Sequence, residues 1–545
     1  MSINAEFIIR RSNSLNLRRQ NWLNIVQEVY DFIEPMDGDI YRSHSPGQDR
    51  RKHLFDQTSS KAFQNFTAGM YSNITPANDT WFKFGSSFED INDDQEASLW
   101  FDMINSITAR ELANSNFDME IQKVYGDLGI PGRAAIICLP GRRTMLNFTA
   151  MHYSNTTIDQ GFDGRVDTLY REFKWTARQA FQRWGDKVSE KIREFALDPE
   201  KQDTMFDFIH AIFPRSDRNI VSREKQDKPF ADIYVDKTTK TIIEEGGFEE
   251  QPFAAPRFYR ANNEIEGRSP GMRALPSSRM IHEMMKTMIQ RANWDANPPI
   301  MYPDDDILDV QITPSMKFGY RPHQSGAKPE FLAIPSRYEL PQWIYEKQQE
   351  AINSAFFTDF FALLSNLEQS VDRTAFEVGE RLNEKVDLLS VARASIKNEL
   401  LDPLMTRVVN LLMRNGAFPP IPQSIAERPS FEIEYRGRLS ILAKSLEVRN
   451  VKGYLNDVIQ VSEVFPSILD HIDDTKLNKT LVDAWGANII NKDIDQVLQE
   501  REASQEQQAL EQEALLAAEA AKAVPGLQKR SEEGSPIDNL VNEGA

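Results

Sequence analysis

The chain has little of what marks secreted or membrane proteins. Its 545 residues include one cysteine, Cys138, which excludes an intrachain disulfide and indicates a reducing compartment. The longest apolar runs, such as residues 134–139, are far too short to cross a bilayer. Residues 1–11 contain no apolar core followed by a cleavage site. The sequence therefore predicts a protein without a membrane anchor or secretory signal, in which Cys138 is a buried, inert thiol.

Motifs of the common enzyme classes are also missing. The sequence contains no G-x-x-x-x-G-K-[ST] phosphate loop and no G-x-S-x-G nucleophile elbow, and its seven histidines are scattered without an H-E-x-x-H pair. Four aspartates lie close together (Asp304, Asp305, Asp306 and Asp309), but with no histidine among them a solvated acidic loop is preferred to a metal site. The sequence predicts no cofactor and no enzymatic activity. Distant carboxylates could still assemble a two-metal centre, so a metal-dependent nuclease with a helical body is the alternative function.

Basic residues are outnumbered, which bears on contacts with nucleic acid. The formal net charge is −19 and the pI is near 5.0. Tight DNA binding needs clustered lysine and arginine to neutralise phosphates, so an ordinary DNA-binding surface is not indicated. The acidity either keeps a large protein soluble or lines a conduit whose wall repels moving DNA. Charge alone does not decide between these two interpretations.

The apolar periodicity predicts an α+β fold that is predominantly helical. Residues 1–75 have helical spacing, with Val26, Val29 and Tyr30 on one face. Residues 134–139 and 144–148 flank Pro140-Gly141 and predict a β-hairpin. We expect helix over 174–212 and strands over 229–260.

A Met-rich amphipathic helix is predicted over residues 277–297. Its apolar stripe is formed by Ile281, Met284, Met285 and Met288, at helical spacing. Ser277 or Ser278 is the expected N-cap, and Pro298 ends the helix. Such a stripe is either ordinary core or, in a ring of packed helices, an interface between subunits.

A second long helical pattern begins at Thr374. Thr374 and Glu377 have the spacing of a capping box. The pattern continues to Asn415-Gly416, which is a typical helix end. Pro403 should interrupt it, because proline lacks the amide donor and clashes with the preceding turn. Farther upstream, Pro341 is suited to the first turn of another helix.

The order of several short motifs resembles the head-to-tail connecting (portal) proteins of short-tailed bacteriophages. The clearest is Glu-Gly-Arg-Ser-Pro-Gly-Met-Arg-Ala-Leu-Pro at 266–276, followed by the Met-rich helix and Pro298-Pro299. Arg18-Arg19-x-x-Trp22, Trp81-Phe82, the run from Gly164 to Arg171, the start at Thr374 and Leu-Leu-Asp-Pro at 400–403 add to it. The resemblance extends over about residues 18 to 440.

The resemblance implies the portal fold, assembled as a ring of usually twelve subunits. The implied subdomains are a wing (1–276), a first stem helix (277–297), a clip (298–340), a second stem helix (341–361), a tunnel loop (362–373), a long kinked helix with a strand returning to the wing (374–440), a helical crown or barrel (441–523) and a polar tail expected to be disordered (524–545). A portal is a passive conduit for genome packaging and ejection, while a separate terminase hydrolyses ATP.

The resemblance also implies where partners bind. The stem stripe Ile281, Met284, Met285 and Met288 would contact neighbouring subunits. The tunnel-loop residues Leu367, Glu368, Gln369 and Arg373 would face double-stranded DNA in the channel. The clip residues Asp304, Asp305, Asp306 and Arg321 would dock the terminase and later the tail adaptor. Other expected partners are core or ejection proteins, capsid and scaffold proteins, at the portal vertex of a virion assembled in the host cytoplasm.

Overall fold

The computed structural model describes most of the first 436 residues. It covers residues 4–298, with gaps at 43–44, 46, 53, 78, 93, 220–221 and 223, then 300–303, 317–320, 330–331, 339–366 and 392–436, and the single positions 455, 458 and 477. The chain divides into a unit of Met1–Ala443 and a unit of Lys444–Ala545. The helices and strands described below all belong to the first unit.

The described part of the chain has a mixed α+β architecture in which about half of the residues are helical. The helices are α1 (Ala5–Arg18), α2 (Gln20–Ile33), α3 (Thr58–Ile74), α4 (Glu89–Asn92), α5 (Gln95–Asn114), α6 (Phe117–Gly129), α7 (Ala177–Trp184), α8 (Glu190–Leu197), α9 (Pro270–Ala296), α10 (Glu339–Ala355), α11 (Thr358–Asn366), α12 (Asp402–Arg414) and α13 (Gln423–Glu427). The predicted α+β class is confirmed.

The strands form four small sheets, in which antiparallel pairing dominates. They are β1 (Phe82–Gly85), β2 (Ile136–Pro140), β3 (Leu146–Ala150), β4 (Thr156–Gln160), β5 (Val166–Thr176), β6 (Met205–Pro214), β7 (Phe230–Asp236), β8 (Thr241–Phe248), β9 (Phe253–Ala254), β10 (Ile300–Pro303), β11 (Lys317–Tyr320), β12 (Glu330–Phe331) and β13 (Glu432–Tyr435). The sheet orders are β4-β5-β6-β7-β8, β3-β2-β9, β11-β10-β12 and β1-β13. Only the pairing of β10 with β11 is parallel among these described strands.

The predicted hairpin about Pro140-Gly141 is confirmed. Strands β2 and β3 pair in antiparallel register, with Cys138 opposite Phe148. Cys138 is buried, as expected, and burial raises the pKa of its thiol to about 12. The thiol therefore stays protonated at neutral pH and is a poor nucleophile.

The helix predicted over 174–212 is partly wrong. Strand β5 continues to Thr176, helices α7 and α8 follow, and β6 begins at Met205. In β6, Phe206 and Phe208 point to one face and pack beneath α7 and α8, whereas Ile209 lies on the face covered by α1. The alternation of buried Phe206 and Phe208 with exposed Asp207 is the period-two signal of a strand. The strands predicted between 229 and 260 are confirmed by β7 and β8.

The largest core lies between α2, α3, α6, α12 and the sheet β3-β2-β9. The predicted stripe Val26, Val29 and Tyr30 is buried in it. Phe66 of α3 lies near the centre, with its ring 5.6 Å from that of Phe258. Burying each such side chain contributes about 1.5–3 kcal/mol, so this cluster holds the long helices to the body.

Helix α9 begins earlier than predicted. It starts at Pro270 with Ser269 as N-cap and contains Pro276 within its first turns, so the caps expected at Ser277 or Ser278 are wrong. Ser278 is instead buried, with its hydroxyl oxygen 2.6 Å from that of Ser59. The seven additional residues anchor the helix inside the body.

The predicted second stem helix is divided into two helices. Pro341 lies in the first turn of α10, as predicted, but the helix expected over 341–361 stops at Ala355 and resumes as α11 at Thr358. Phe357, between them, has a positive φ of 55°, which is costly for a bulky side chain. Residues 362–366 of the predicted tunnel loop belong to α11.

The predicted interruption at Pro403 is confirmed as a π-turn. Residues 392–396 are helical, Lys397–Leu401 form a π-helix, and α12 follows with Pro403 in its first turn. The π-turn allows the Asp402 amide to bond to the Lys397 carbonyl, five residues back, just before the residue that lacks a donor. The helix ends at Arg414, and Gly416 has a φ of +67°, as the Asn-Gly signal predicted. The strand expected to return to the wing within residues 374–440 is β13.

No helix in the described residues is long and apolar enough to cross a membrane.

Candidate functional site

The loop that leads into α9 is held by the buried Arg133, next to which a second buried arginine, Arg19, binds the same carbonyl. The Arg133 Nε donates to the Glu266 Oε2 at 2.7 Å, and both side chains are nearly inaccessible. The Arg133 guanidinium also donates to the Thr156 carbonyl at 2.9 Å and lies 4.5 Å from the centre of the Tyr153 ring. Arg19 donates to the same Thr156 carbonyl at 2.6 Å, and burial, reinforced by Arg133, lowers the pKa of Arg19 to about 10. Glu266, the first residue of the 266–276 motif, therefore partly neutralises a buried cationic cluster.

The second residue of the motif makes a close backbone crossing. A Cβ on Gly267 would lie 2.1 Å from the carbonyl oxygen of Gly132. Gly132 has a φ of +82°, where a side chain would be strained. Next to the crossing, the backbones of Tyr259 and Arg268 exchange two hydrogen bonds of 3.1 and 2.8 Å. Glycine at 267 is thus required by the space between two chain segments.

The remaining motif residues start the helix. The Met272 amide donates to the Ser269 Oγ at 2.9 Å, which satisfies one of the free donors of the first turn. Pro270 follows at a position that needs no amide donor. The Arg273 guanidinium lies 4.0 Å from the centre of the Tyr259 ring. The motif that carried the resemblance is therefore a structural joint that fixes α9 to the body.

A second joint fixes the π-turn to the same region. The Arg257 Nη2 and the Glu399 Oε1 are 2.5 Å apart, and Arg257 is fully buried. Arg257 also donates to the carbonyls of Gly164 and Ile265, at 3.1 and 3.2 Å. It thereby connects the β4–β5 turn, the loop before α9 and the π-helix Lys397–Leu401.

Helices α9 and α10 pack against each other and against the segment before α3. The Phe55 amide donates to the His282 Nδ1 at 3.1 Å, and the Tyr345 hydroxyl donates to the Asp56 Oδ2 at 2.7 Å. The chain leaves the body along α9 and returns to it along α10. Residues 297–338 connect the two helices in the sequence, and the short strands β10, β11 and β12 lie among them.

The predicted stem stripe lies at the edge of this helix pair. Ile281 is fully buried, whereas Met284, Met285 and Met288 are half-buried. Three further apolar side chains of the pair are exposed by 43–58% of their surface: Met280, Ile289 and Trp343. The stripe thus passes from the core of the subunit to an apolar surface along the helix.

The other predicted site residues are not placed by the structure. They lie outside the described residues: Asp304, Asp305, Asp306, Arg321, Leu367, Glu368, Gln369 and Arg373. The sheet β11-β10-β12 lies within the predicted clip and was not anticipated. Its strand β10, Ile300–Pro303, has the β-branched and aromatic residues that could have indicated it.

Sequence reasoning missed the arginine joints. Arg133, Arg257 and Glu399 were not singled out, although Arg133 directly precedes the apolar run 134–139 and Glu399 directly precedes Leu400-Leu401. A charged residue beside an apolar run is one signal of a buried ion pair. Which two charges meet depends on the tertiary structure.

No group of three histidine, cysteine, aspartate or glutamate side chains in the described ranges is arranged to hold a metal ion. What these ranges show is a set of buried polar joints around long helices, the arrangement of a structural subunit.

Comparison with known proteins identifies the class. The family described as bacteriophage head to tail connecting protein matches residues 5–489, and the chain belongs to this family. It is 26% identical over 522 residues to the probable portal protein of Bordetella phage BPP-1, covering 94% of this chain and 93% of that protein. It is 25% identical over 480 residues to the portal protein of Salmonella phage epsilon15, covering 86% and 85%.

The chain is accordingly a phage portal protein, the head-tail connector of a virion, and a structural protein rather than an enzyme. The resemblance found in the sequence is confirmed, and the nuclease alternative is not supported.

Proposed function

We propose that the portal subunits assemble into a ring of twelve around a DNA channel, with the subdomains in the order that the sequence predicts, except that the first stem helix begins at Pro270 and the second is divided after Ala355. The observation that carries this proposal is the helix pair α9–α10, whose apolar side chains are only partly covered by their own subunit. Exposed apolar surface of this kind is typical of protein interfaces. A ring offers each subunit two neighbours to cover it.

The stem contact is formed by the half-buried part of the predicted stripe, Met284, Met285 and Met288, whereas Ile281 is buried within its own subunit and anchors the stripe there. Methionine side chains adapt to irregular neighbours, which suits a contact that repeats around a ring. A charge introduced at Met285 would be desolvated against the neighbouring subunit, and it should prevent ring closure. The matched control is Lys286→Glu, which places the same negative charge at an exposed position of the same helix. Unaltered rings in the Met285→Glu variant would refute this contact.

The clip, residues 298–340, docks the terminase during packaging and the tail adaptor afterwards. The support is positional, because these residues connect helices α9 and α10, which pack against each other. Asp304, Asp305, Asp306 and Arg321 are the residues that we assign to this contact. Normal packaging by a portal in which residues 304–316 are replaced by a short Gly-Ser linker would disprove the assignment.

The tunnel loop touches DNA in the channel. Its support is positional, because α11 ends at Asn366 and the chain is helical again at 392. Leu367, Glu368, Gln369 and Arg373 are the residues assigned to DNA contact. Replacing these four residues by glycine should alter packaging or genome retention, and unchanged behaviour in both would contradict the assignment. The family also leads us to propose contacts with capsid, scaffold and ejection proteins.

The ring is tested by native mass spectrometry and negative-stain electron microscopy of the purified protein. We expect a particle with a central hole and twelve times the 62.5 kDa mass of one chain, about 750 kDa. A closed ring with another number of subunits would correct the count and keep the proposal. Recovery of the portal protein only as a monomer, from the purified preparation and also from phage particles isolated from infected cells, would overturn the proposed ring.

A further inference from the structure

A cavity of about 1030 Å³ opens between α3, α6 and the end of β3. Its lining includes the aromatic rings of Tyr30, Phe63 and Tyr71 and the polar side chains of Asp127, His152 and Lys123. The volume is at the upper end of the range for ligand pockets, and it exceeds what one side chain needs. The cavity can therefore admit a short loop.

The chemistry of the lining favours a cation. Burial raises the pKa of Tyr30 well above its ordinary value and lowers the pKa of His152, so both are neutral at pH 7. Lys123 is paired with Glu120, with the Lys123 Nζ 2.7 Å from the Glu120 Oε1. The carboxyl groups of the lining are those of Asp37 and Asp127, and the Tyr30 hydroxyl donates to Asp127 at 3.4 Å. Burial raises the pKa of Asp127 to about 7, and a cation placed beside it would favour its ionised form. A carboxylate flanked by aromatic faces is suited to a guanidinium.

Two arginines that match this cavity in charge lie on the β2–β3 hairpin, whose strand β3 ends at the cavity. Arg142 and Arg143 form the exposed turn between β2 and β3. Within the described part of the chain, neither makes an ion pair or a hydrogen bond. The turn carries no carboxylate of its own, so its positive charge is not locally offset.

The turn cannot enter the cavity of its own molecule. The cavity begins at Ala150, the last residue of β3, and the turn precedes Leu146, the first residue of the same strand. Four residues of extended strand separate them by roughly 14 Å. The hairpin is also clamped to α6, because Asn116 exchanges hydrogen bonds of 2.7 and 2.9 Å with the backbone of Phe148. A rigid projection and a rigid cavity thus occupy opposite ends of one hairpin.

We propose that the Arg142–Arg143 turn of one subunit inserts into the cavity at Asp127 of the next subunit in the ring. Contact between two different patches is what a closed ring requires, because each subunit then presents one patch to either neighbour. Phosphate groups are disfavoured occupants, since the cavity is acidic. This inference rests on the proposed ring, and it assigns a contact in the body that is separate from the stem stripe.

Cross-linking between single-cysteine changes tests the contact. Cys138 is buried and unreactive, so introduced thiols are distinguishable. Gln122→Cys at the cavity and Arg143→Cys at the turn would be made in separate full-length chains, co-assembled and treated with a short bismaleimide. Only contacts between different molecules can then join the two thiols. The matched control pairs Arg143→Cys with Glu200→Cys, an exposed position that does not line the cavity.

We expect at least about tenfold more covalent dimer from the Gln122→Cys and Arg143→Cys pair than from the control pair. The variant Arg142→Glu/Arg143→Glu should also weaken subunit association by about tenfold or more, because charges at a close interface pair couple strongly. Equal cross-linking of both pairs in intact rings would overturn the contact and leave the ring standing. Absence of any ring would overturn both proposals.

Discussion

Arg257 and Glu399 form a buried ion pair that ties the π-turn to the body of the subunit. The Arg257 Nη2 lies 2.5 Å from the Glu399 Oε1, and its Nε and backbone amide each donate to the Glu399 Oε2 at 3.0 Å. The π-helix brings Glu399 to this position just before Pro403 interrupts the helical bonding. The interruption and the ion pair therefore form one structural unit at the base of the long helix.

Breaking this pair should destabilise the subunit strongly. Glu399→Gln keeps the shape of the side chain but leaves a buried guanidinium without its counter-charge, which typically costs about 3–5 kcal/mol. The control is Glu264→Gln, because Glu264 pairs with Arg268 on the surface and such pairs contribute only about 0–1 kcal/mol. Urea unfolding of the isolated subunits would measure both. Similar small losses in the two variants would contradict the structural role of the pair.

The sequence predicted the local elements better than the joints between them. Val26, Val29 and Tyr30 were recognised as a buried face because helical periodicity is a local signal. The hairpin, the Pro403 interruption and the helix end at Asn415-Gly416 followed from turn and proline chemistry, which is also local.

The errors have physical reasons. The start of α9 was misplaced because Ser269, Ser277 and Ser278 are equally good caps in sequence, and the contacts of the 266–276 loop select Ser269. The pairing of Arg257 with Glu399 joins residues 142 positions apart, so no local pattern could show it. The family resemblance supplied the function, since the individual motif residues are structural and carry no chemistry of their own.

The crossing of Gly267 and Gly132 should not tolerate a side chain. In Gly267→Ala the new methyl group would meet a backbone oxygen, which cannot rotate away as a side chain would. We expect a loss of about 3 kcal/mol or more in the free energy of unfolding, at or above the usual range for overpacking. Thermal unfolding with a folded-fraction measurement by circular dichroism would show it.

Gly246→Ala is the matched control for this prediction. Its new Cβ would lie 3.3 Å from an Asp232 carboxylate oxygen, which can move, and its φ is not positive. We expect a change within about 1 kcal/mol. A Gly267→Ala variant as stable as Gly246→Ala would show that the two segments are not in close contact.

Because α3 contacts α11, substitutions at Gly69 and Phe361 should partly compensate for each other. A Cβ on Gly69 would lie 2.3 Å from the Cγ of Phe361, whose ring is buried. Gly69→Ala alone should cost about 1–3 kcal/mol, because the ring must shift within a packed core. In the double variant Gly69→Ala/Phe361→Leu the smaller side chain leaves room, so the combined loss should be at least about 1 kcal/mol less than the sum of the single losses.

This double-mutant cycle also bears on the proposed tunnel loop, since α11 leads into it. Additive losses would mean that α11 does not press on α3. If Gly69→Ala impairs packaging and the added Phe361→Leu restores it, the position of α11 affects how the channel works.

Asp127 should give the isolated subunit an unusual dependence on pH. Burial raises the pKa of Asp127 to about 7, with Asp37 adding to the shift and Arg133 opposing it. Between about pH 4 and 7 the folded state therefore binds a proton that the unfolded state, with an aspartate pKa near 3.9, has lost. Stability should rise as the pH falls through this window, and Asp127→Asn should remove that rise.

Glu172 is the opposing control, because hydrogen bonds from Lys237 and Ser12, against the effect of burial, lower its pKa. Glu172→Gln should thus destabilise at neutral pH, with the loss fading below about pH 4. Urea midpoints from pH 4 to 8 would measure both, and an Asp127→Asn profile parallel to the wild type would contradict the assignment.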